Sequence, residues 1–305
     1  MVPRAEFESY YGRPVIKAPS WAARDIAGYF FLGGLAGAGS VLAAGAQLTG
    51  RTTLATGMKA SSLVAVSLSA AALVNDLGRP SRFPNMLRVL KPTSPMSVGS
   101  WVLAGYGPAA GTAALSALTG RLPRTGTAAT AAAALLGPAV ATYTAVLAAD
   151  TAVPAWHGAH RELPYLFAAS ATAAAAGMAL VVAPTRESAP ARCAALFAAA
   201  TEQLVSHRME RRLGMIAETL REGRAGTLLR AARLLTAVGT AGAVCGTLLP
   251  PRAARPVSAA SGAALLAGSA CTRFGVFAAG VASAEDPRYT VVPQREALRE
   301  RQGST

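Results

Sequence analysis

The sequence predicts an all-α membrane protein of eight transmembrane helices, and three observations carry that prediction. Its 305 residues are 52% hydrophobic and only 14% charged, with a mean hydropathy of +0.36. The apolar residues lie in blocks long enough to cross a hydrocarbon core about 30 Å thick. Nothing in these blocks alternates with the period of two that a barrel strand needs, so they are read as helices, which satisfy their own backbone polar groups in lipid.

In order, the spans run roughly over 26–48, 56–75, 97–119, 126–149, 164–184, 190–206, 225–249 and 257–283. An even number returns both termini to one side. A polar stretch with Glu6, Glu8 and Asp25 precedes the first block. It lacks the short basic head and cleavage site of a secretory signal, so the first span is expected to stay in the mature protein.

That first span reads GYFFLGGLAGAGSVLAAGAQL, with Gly33 and Gly37 at the small-xxx-small spacing that lets two helices approach closely in lipid. No strand precedes these glycines, so close packing is a better reading than a dinucleotide loop. The fourth span, with TAATAAAALLGPAVATYTAV, is of the same small-residue kind and suits a compact bundle with narrow cavities. Pro108 and Pro138 interrupt spans three and four, as a kink or as part of a ligand site.

Between spans two and three stands NDLGRPSRFPNMLRVLKPTSPMSVGSW, residues 75–101. Phe83, Met86, Leu87 and Leu90 recur at near-helical spacing, with Pro84 at the start and Lys91-Pro92 at the end, which predicts a short interfacial helix. Asp76 and Arg79 put a carboxylate and a guanidinium at the lip of span two. Ionisable groups at that depth are functional or paired with each other. In HRMERRLGMIAETLREG, residues 207–223, Met209, Leu213, Ile216 and Leu220 share one face, opposite Arg208, Arg211, Arg212, Glu218 and Arg221. This predicts a basic amphipathic helix on the membrane surface, set against anionic lipid or a partner subunit.

The net charge of +14 is distributed as membrane topology requires, not as a nucleic-acid footprint. Of the Lys and Arg residues, 20 fall on the side holding both termini and 8 on the other, with Arg273 left inside the last span. By the positive-inside rule the termini and the 75–101 loop are cytoplasmic. Cys193, Cys245 and Cys271 sit singly in apolar runs and read as small packing residues, with no metal-ligand or disulfide spacing. His157 and His160 share one loop and His207 ends another span, so no facing pair offers axial ligands to a haem. Glu202 and Arg273, the other ionisable groups within spans, form either part of a proton path or a buried structural pair.

Three stretches resemble the NrfD/PsrC family of polysulfide-reductase-type integral membrane subunits. They are DLGRPSRFPNMLRVLKPTSPMSVGSW, YTAVLAADTAVPAWHGAHRELPYLFAASA (143–171) and AAGVASAEDPRYTVVPQR (278–295). The resemblance runs through nearly the whole chain in order, and the first stretch is the most specific. It implies two four-helix bundles, about 26–149 and 164–283, between an N-terminal cytoplasmic segment (1–25) and a cytoplasmic tail (284–305). It further implies a subunit without haem or Fe–S cluster of its own, not catalytic alone, in the bacterial cytoplasmic membrane. Such a subunit exchanges electrons between the quinone pool and a docked ferredoxin-like Fe–S protein, itself wired to a molybdopterin oxidoreductase. Matched by motif, the quinone site takes Asp76, then Tyr143 and Asp150 with the Trp156-His157 turn, and less directly Asp25 and Tyr29.

Chemistry gives these residues roles. Reducing a quinone consumes two electrons and two protons, so its site needs hydrogen-bond donors, a proton carrier and a path to water. Tyr143 can donate, Asp76 can relay, and Arg79 can keep the carboxylate ionised or stabilise a reduced ring. Phe30, Phe31 and Leu35 are expected as apolar walls. Arg82, Arg88 and Lys91 are the expected docking face for an acidic partner. The Ala- and Arg-rich composition suggests a GC-rich bacterium and hence menaquinone. Two other readings stand beside this one: a structural anchor with a dead pocket, and a secondary transporter, for which no internal repeat is evident.

Overall fold

The computed structural model describes residues 15–17, 19–76 and 85–303; Arg79 and Arg82 lie outside the described residues. The described chain is helical throughout, without strands. Eight long helices carry it: α1 (Ala23–Leu48), α2 (Thr52–Asp76), α3 (Pro95–Thr119), α4 (Pro123–Ala149), α6 (Leu163–Val182), α7 (Ala189–Leu213), α9 (Gly223–Cys245) and α10 (Pro251–Glu285). Shorter pieces are α5 (Pro154–Gly158), α8 (Glu218–Arg221) and a C-terminal α11 (Arg288–Gly303) where the sequence suggested only a tail. Prolines at the first positions of α3, α4, α5, α6, α7 and α10 explain several of the starts, because a helix's first N–H groups have no partner to lose. Pro108 and Pro138 stand inside α3 and α4, which run on through them.

Among the described residues, six helices are long and apolar enough to cross a membrane: α1, α2, α4, α6, α9 with its 3₁₀ end, and α10. Their outward faces carry exposed Val64, Leu68, Leu135, Leu234 and Val238, the surface that hydrocarbon covers. Consecutive long helices run antiparallel. At one end Asn75 of α2 meets Asp25 of α1; at the other Lys59 of α2 meets Gln47 of α1.

Helices α1 to α4 pack in a cycle, α1 on α2, α2 on α3, α3 on α4 and α4 back on α1. A second cycle joins α6, α7, α9 and α10. The two meet where α1 packs on α6 and α10, and α4 and α2 on α6. Small residues permit this density. A methyl group on Gly37 would stand 2.3 Å from the Gly137 carbonyl oxygen, and one on Gly177 would stand 2.6 Å from that of Gly262. Gly37 thus makes the close crossing expected of span one, whereas a methyl on Gly33 would make ordinary contact with Ser69 at 3.4 Å.

Three local expectations are corrected. The 207–223 segment is not a separate surface helix: α7 continues to Leu213, a 3₁₀ turn follows at Gly214–Ala217, and α8 is a single turn. Met209, Leu213 and Leu220 are buried in the protein core, with Ile216 packed against them; they cover the underside of α5 and the end of α10 rather than lipid. Phe83 and Pro84 lie outside the described residues; the described part of the loop before α3 holds one 3₁₀ turn at 85–87, a bend at Arg88 and a turn in which Ser94 N–H donates to the Lys91 carbonyl at 3.0 Å, so no helix reaches Lys91. Cys193 and Cys245 are exposed on helix surfaces instead of packed inside, and Cys271 is intermediate.

Candidate functional site

Where α2 ends and α1 begins, the two helices are laced together by acids. The Asp76 carboxylate accepts the Ala22 backbone N–H through Oδ1 at 3.1 Å. One residue earlier, Asn75 donates its Nδ2 to Asp25 Oδ2 at 2.8 Å. Both acids stand at the N-terminal end of α1, where the helix dipole favours negative charge. Asp76 Oδ2 has no partner among the described residues, so the carboxylate keeps an oxygen for other work.

Beside this lacing lies a cavity of about 310 Å³, at the lower end of the size range of small-molecule sites. Its walls come from four helices and the segments next to them: Trp21, Ile26 and Tyr29 from the start of α1, Leu73 and Asp76 from α2, Met96 and Ser100 from α3, and Tyr143 and Leu147 from α4, with Ser20 and Met86 at the rim. The Tyr29 and Tyr143 rings meet edge-on, 6.2 Å between centroids at 74°. Neither hydroxyl has a hydrogen-bond partner among the described residues. Gly99 makes room for Tyr143, since a methyl group there would stand 2.1 Å from the ring. Two hydroxyl donors, a carboxylate and thioether- and leucine-lined walls are thus gathered at the end of a membrane span.

Of the residues the sequence singled out, Asp76, Tyr29 and Tyr143 share this cavity, although 47 and 67 positions separate Tyr29 and Tyr143 from Asp76. Asp25 stands just outside, bound to Asn75. Trp156 is behind the cavity, not on it. Its ring is 1% exposed, donates Nε1–H to the Val276 carbonyl at 2.9 Å, and stacks on the cavity-lining Trp21 at 5.7 Å and 19°. His157 is turned to its own loop, with Nδ1 3.0 Å from the Ala149 carbonyl, and Asp150 is exposed at the C-cap of α4. Phe30 packs on Phe167 at 5.6 Å, while Phe31 and Leu35 belong to a core cluster deeper between the helices. None of these three lines the cavity.

Trp21 is the main residue that sequence reasoning passed over. An aromatic just ahead of a span is the usual membrane-interface signal, but its partnership with Trp156 crosses 135 positions and leaves no local pattern. The same holds for Gly99, whose use appears only when Tyr143 is laid against it.

Glu202 and Arg273 lie elsewhere, both buried in the second cycle of helices. Arg273 is fully buried; its Nη2 donates to the Phe167 carbonyl at 2.6 Å and its guanidinium covers the Phe167 ring at 3.8 Å. Glu202 accepts from Thr272 Oγ1 at 2.6 Å. No ion pair joins Glu202 and Arg273, and Glu202 Oε2 and Arg273 Nε and Nη1 have no hydrogen-bond partner among the described residues. A cavity of about 20 Å³ beside Glu202, Ser206 and Thr272 has room for about one water molecule. Among the described residues no group of three or more His, Cys, Asp or Glu is placed to hold a metal ion.

Residues 20–282 match the family described as Polysulphide reductase, NrfD. The match takes in most of the chain, all of the cavity's walls and both buried charges, and the chain belongs to that family. No curated protein matches it.

Proposed function

From membership of the polysulphide reductase NrfD family, we propose that this chain is the quinone- or quinol-reactive membrane subunit of a multi-subunit oxidoreductase in the bacterial cytoplasmic membrane. The observation that carries the reading is the meeting of Asp76, Tyr29 and Tyr143 on one cavity at the end of α2. A quinone, menaquinone in the first instance, supplies two-electron, two-proton redox chemistry when bound. The residues fit such a group: two hydroxyls and a carboxylate oxygen without partners among the described residues, to donate to ring oxygens and carry protons, and apolar walls for a ring. Arg79 assists Asp76 in this reading, and Trp156, through Trp21, holds one wall in position.

All eight long helices cross the membrane in this proposal, as two four-helix bundles. α3 and α7 have 25 residues each, about 37 Å at 1.5 Å per residue, and each joins neighbours that begin and end on opposite sides. The positive-inside count puts both termini in the cytoplasm. The electron donor or acceptor is a ferredoxin-like Fe–S subunit tied to a molybdopterin subunit, docking on Arg82, Arg88 and Lys91. Charge reversal of Arg88 and Lys91 to Glu is expected to release the soluble subunits from membranes with the anchor still folded; retention of an active complex would reduce these residues to topology signals.

Asp76→Asn tests the site. The amide keeps the shape and can still accept the Ala22 N–H, but carries no exchangeable carboxyl proton. Quinone-linked turnover is expected to fall about 10²- to 10⁴-fold, the usual size of a general acid–base contribution, with complex yield and dye-linked electron transfer preserved. If yield and dye activity fall together with turnover, Asp76 serves only to lace α2 to α1. Normal turnover would remove it from the chemistry.

A further inference from the structure

A second concave site lies on the same end of the molecule, between the start of α6 and the last turns of α7. It measures about 730 Å³. Arg161, Arg208 and Arg211 line it, are exposed, and make no hydrogen bond or ion pair among the described residues. A fourth arginine, Arg212, is already used. Its Nε donates to Glu162 Oε1 at 2.6 Å, and its Nη2 bridges Glu162 Oε2 and the Gly158 carbonyl. Burial works to raise the Glu162 carboxyl, but the hydrogen bonds and charge of Arg212 outweigh it and hold the group below its usual range. Glu162 and Arg212 therefore cancel, and three uncompensated guanidiniums face one groove.

What lies below the arginines identifies the ligand. On α7, Phe197 and Leu204 are 66% and 60% exposed, and Arg208 and Arg211 follow Leu204 by four and seven positions. Four and seven positions return to one helix face, so an exposed apolar stripe runs straight into the cationic groove. On the facing helix Tyr165 is 66% exposed in the first turn of a membrane-spanning α6, the level at which tyrosines sit at a membrane–water boundary. An acidic protein surface would meet the arginines and leave Phe197, Leu204 and Tyr165 uncovered. A lipid covers all of them at once.

We propose that this groove is a binding site for an anionic phospholipid with a two-phosphate headgroup, of the diphosphatidylglycerol class, whose acyl chains lie along the Phe197–Leu204 stripe. Basic pockets between spanning helices at a cytoplasmic surface suit such headgroups. Two phosphates match three guanidiniums, two from α7 and one from the turn ahead of α6, whereas a single phosphate leaves most of them unsatisfied. The site is independent of the quinone reading; it rests on the proposed membrane crossing of α7 and the proposed cytoplasmic orientation of this end.

The test is native mass spectrometry of the full-length protein, in whatever complex it purifies, with diphosphatidylglycerol titrated against a neutral phosphatidylcholine background. At roughly fivefold per cation near a membrane surface, Arg161→Gln/Arg208→Gln/Arg211→Gln is expected to weaken lipid retention on the order of a hundredfold. Arg121→Gln/Arg124→Gln, at the opposite end, is expected to leave it unchanged. The single variants Arg161→Gln and Arg208→Gln give graded losses should the triple variant fold poorly. Phosphatidylglycerol is expected to bind more weakly, and inorganic phosphate not to displace the lipid. Full retention in the triple variant would overturn the proposal, as would displacement by inorganic phosphate. So would retained lipid accompanied by loss of a soluble subunit, which would make the groove a protein-docking face.

Discussion

Gly37 meets Gly137 where α1 crosses α4, and Gly177 meets Gly262 where α6 crosses α10. Each pair joins the first and fourth long helix of its own half, and since four antiparallel helices return the chain to its starting side, the two halves run in the same sense. They use the same packing device for opposite treatments of charge. In the first half the acids stay at the membrane's edge, half-buried, with a 310 Å³ cavity beside them. In the second, Glu202 and Arg273 are 7% and 0% exposed and the neighbouring space holds about 20 Å³. The first half leaves open space beside Asp76, while the second closes over Glu202 and Arg273. A shared backbone arrangement therefore does not fix what its side chains leave open.

The contrast is broken most forcefully at Arg273. If the second half is a sealed structural core, Arg273→Met takes a buried positive charge away from the neighbourhood of Glu202 and leaves the Phe167 carbonyl without its donor. Stranding a buried polar group in this way typically costs about 1–3 kcal/mol or more where a charge is involved, read as lost thermal stability and lost yield. Adding Glu202→Leu removes the buried acid as well, and the double variant is expected to recover much of the loss. Strict additivity of the two changes would show that the groups do not sense each other. A Glu202→Gln variant of normal stability but low quinone turnover would show instead that the second half joins the chemistry, as a proton path.

Two glycines sharpen the comparison at smaller cost. A methyl group at Gly280 would stand 1.9 Å from the Trp156 ring, deep in the core behind the cavity. Gly280→Ala is expected to destabilise the fold by about 1–3 kcal/mol, as overpacking does, and to disturb Trp21 fluorescence through the broken stack. At Gly99 the obstructed ring belongs to Tyr143, which borders open space and can swing into it. Gly99→Ala should therefore lower quinone-linked turnover while shifting the melting temperature little. Were Gly99→Ala the more destabilising of the two, the cavity would be as tightly packed as the core behind it.

Much of this was legible in the sequence because a membrane imposes period and length on a chain locally. Span limits such as 97–119 and 126–149 differ from α3 and α4 by a few residues, since an apolar block must reach about 20 residues and proline marks its start. Where prediction failed, a local pattern had two solutions. The alternation of Met209, Leu213, Ile216 and Leu220 with arginines fits a helix lying on lipid as well as one packed under α5, and only the position of α5 selects the second.

The class of the protein, its helices and the asymmetry of its charge follow from the chain read residue by residue, because hydrophobic burial, backbone satisfaction in lipid and proline geometry act within a few turns. Type and depth also mark Asp76, Tyr143, Glu202 and Arg273 as unusual. Folding alone brings Tyr29 and Tyr143 to Asp76, stacks Trp156 on Trp21, and shuts Glu202 and Arg273 away from both. These are contacts between helices far apart in the chain. They are chosen by which small residues let two backbones come within reach, a property of pairs of surfaces that no single stretch of sequence contains.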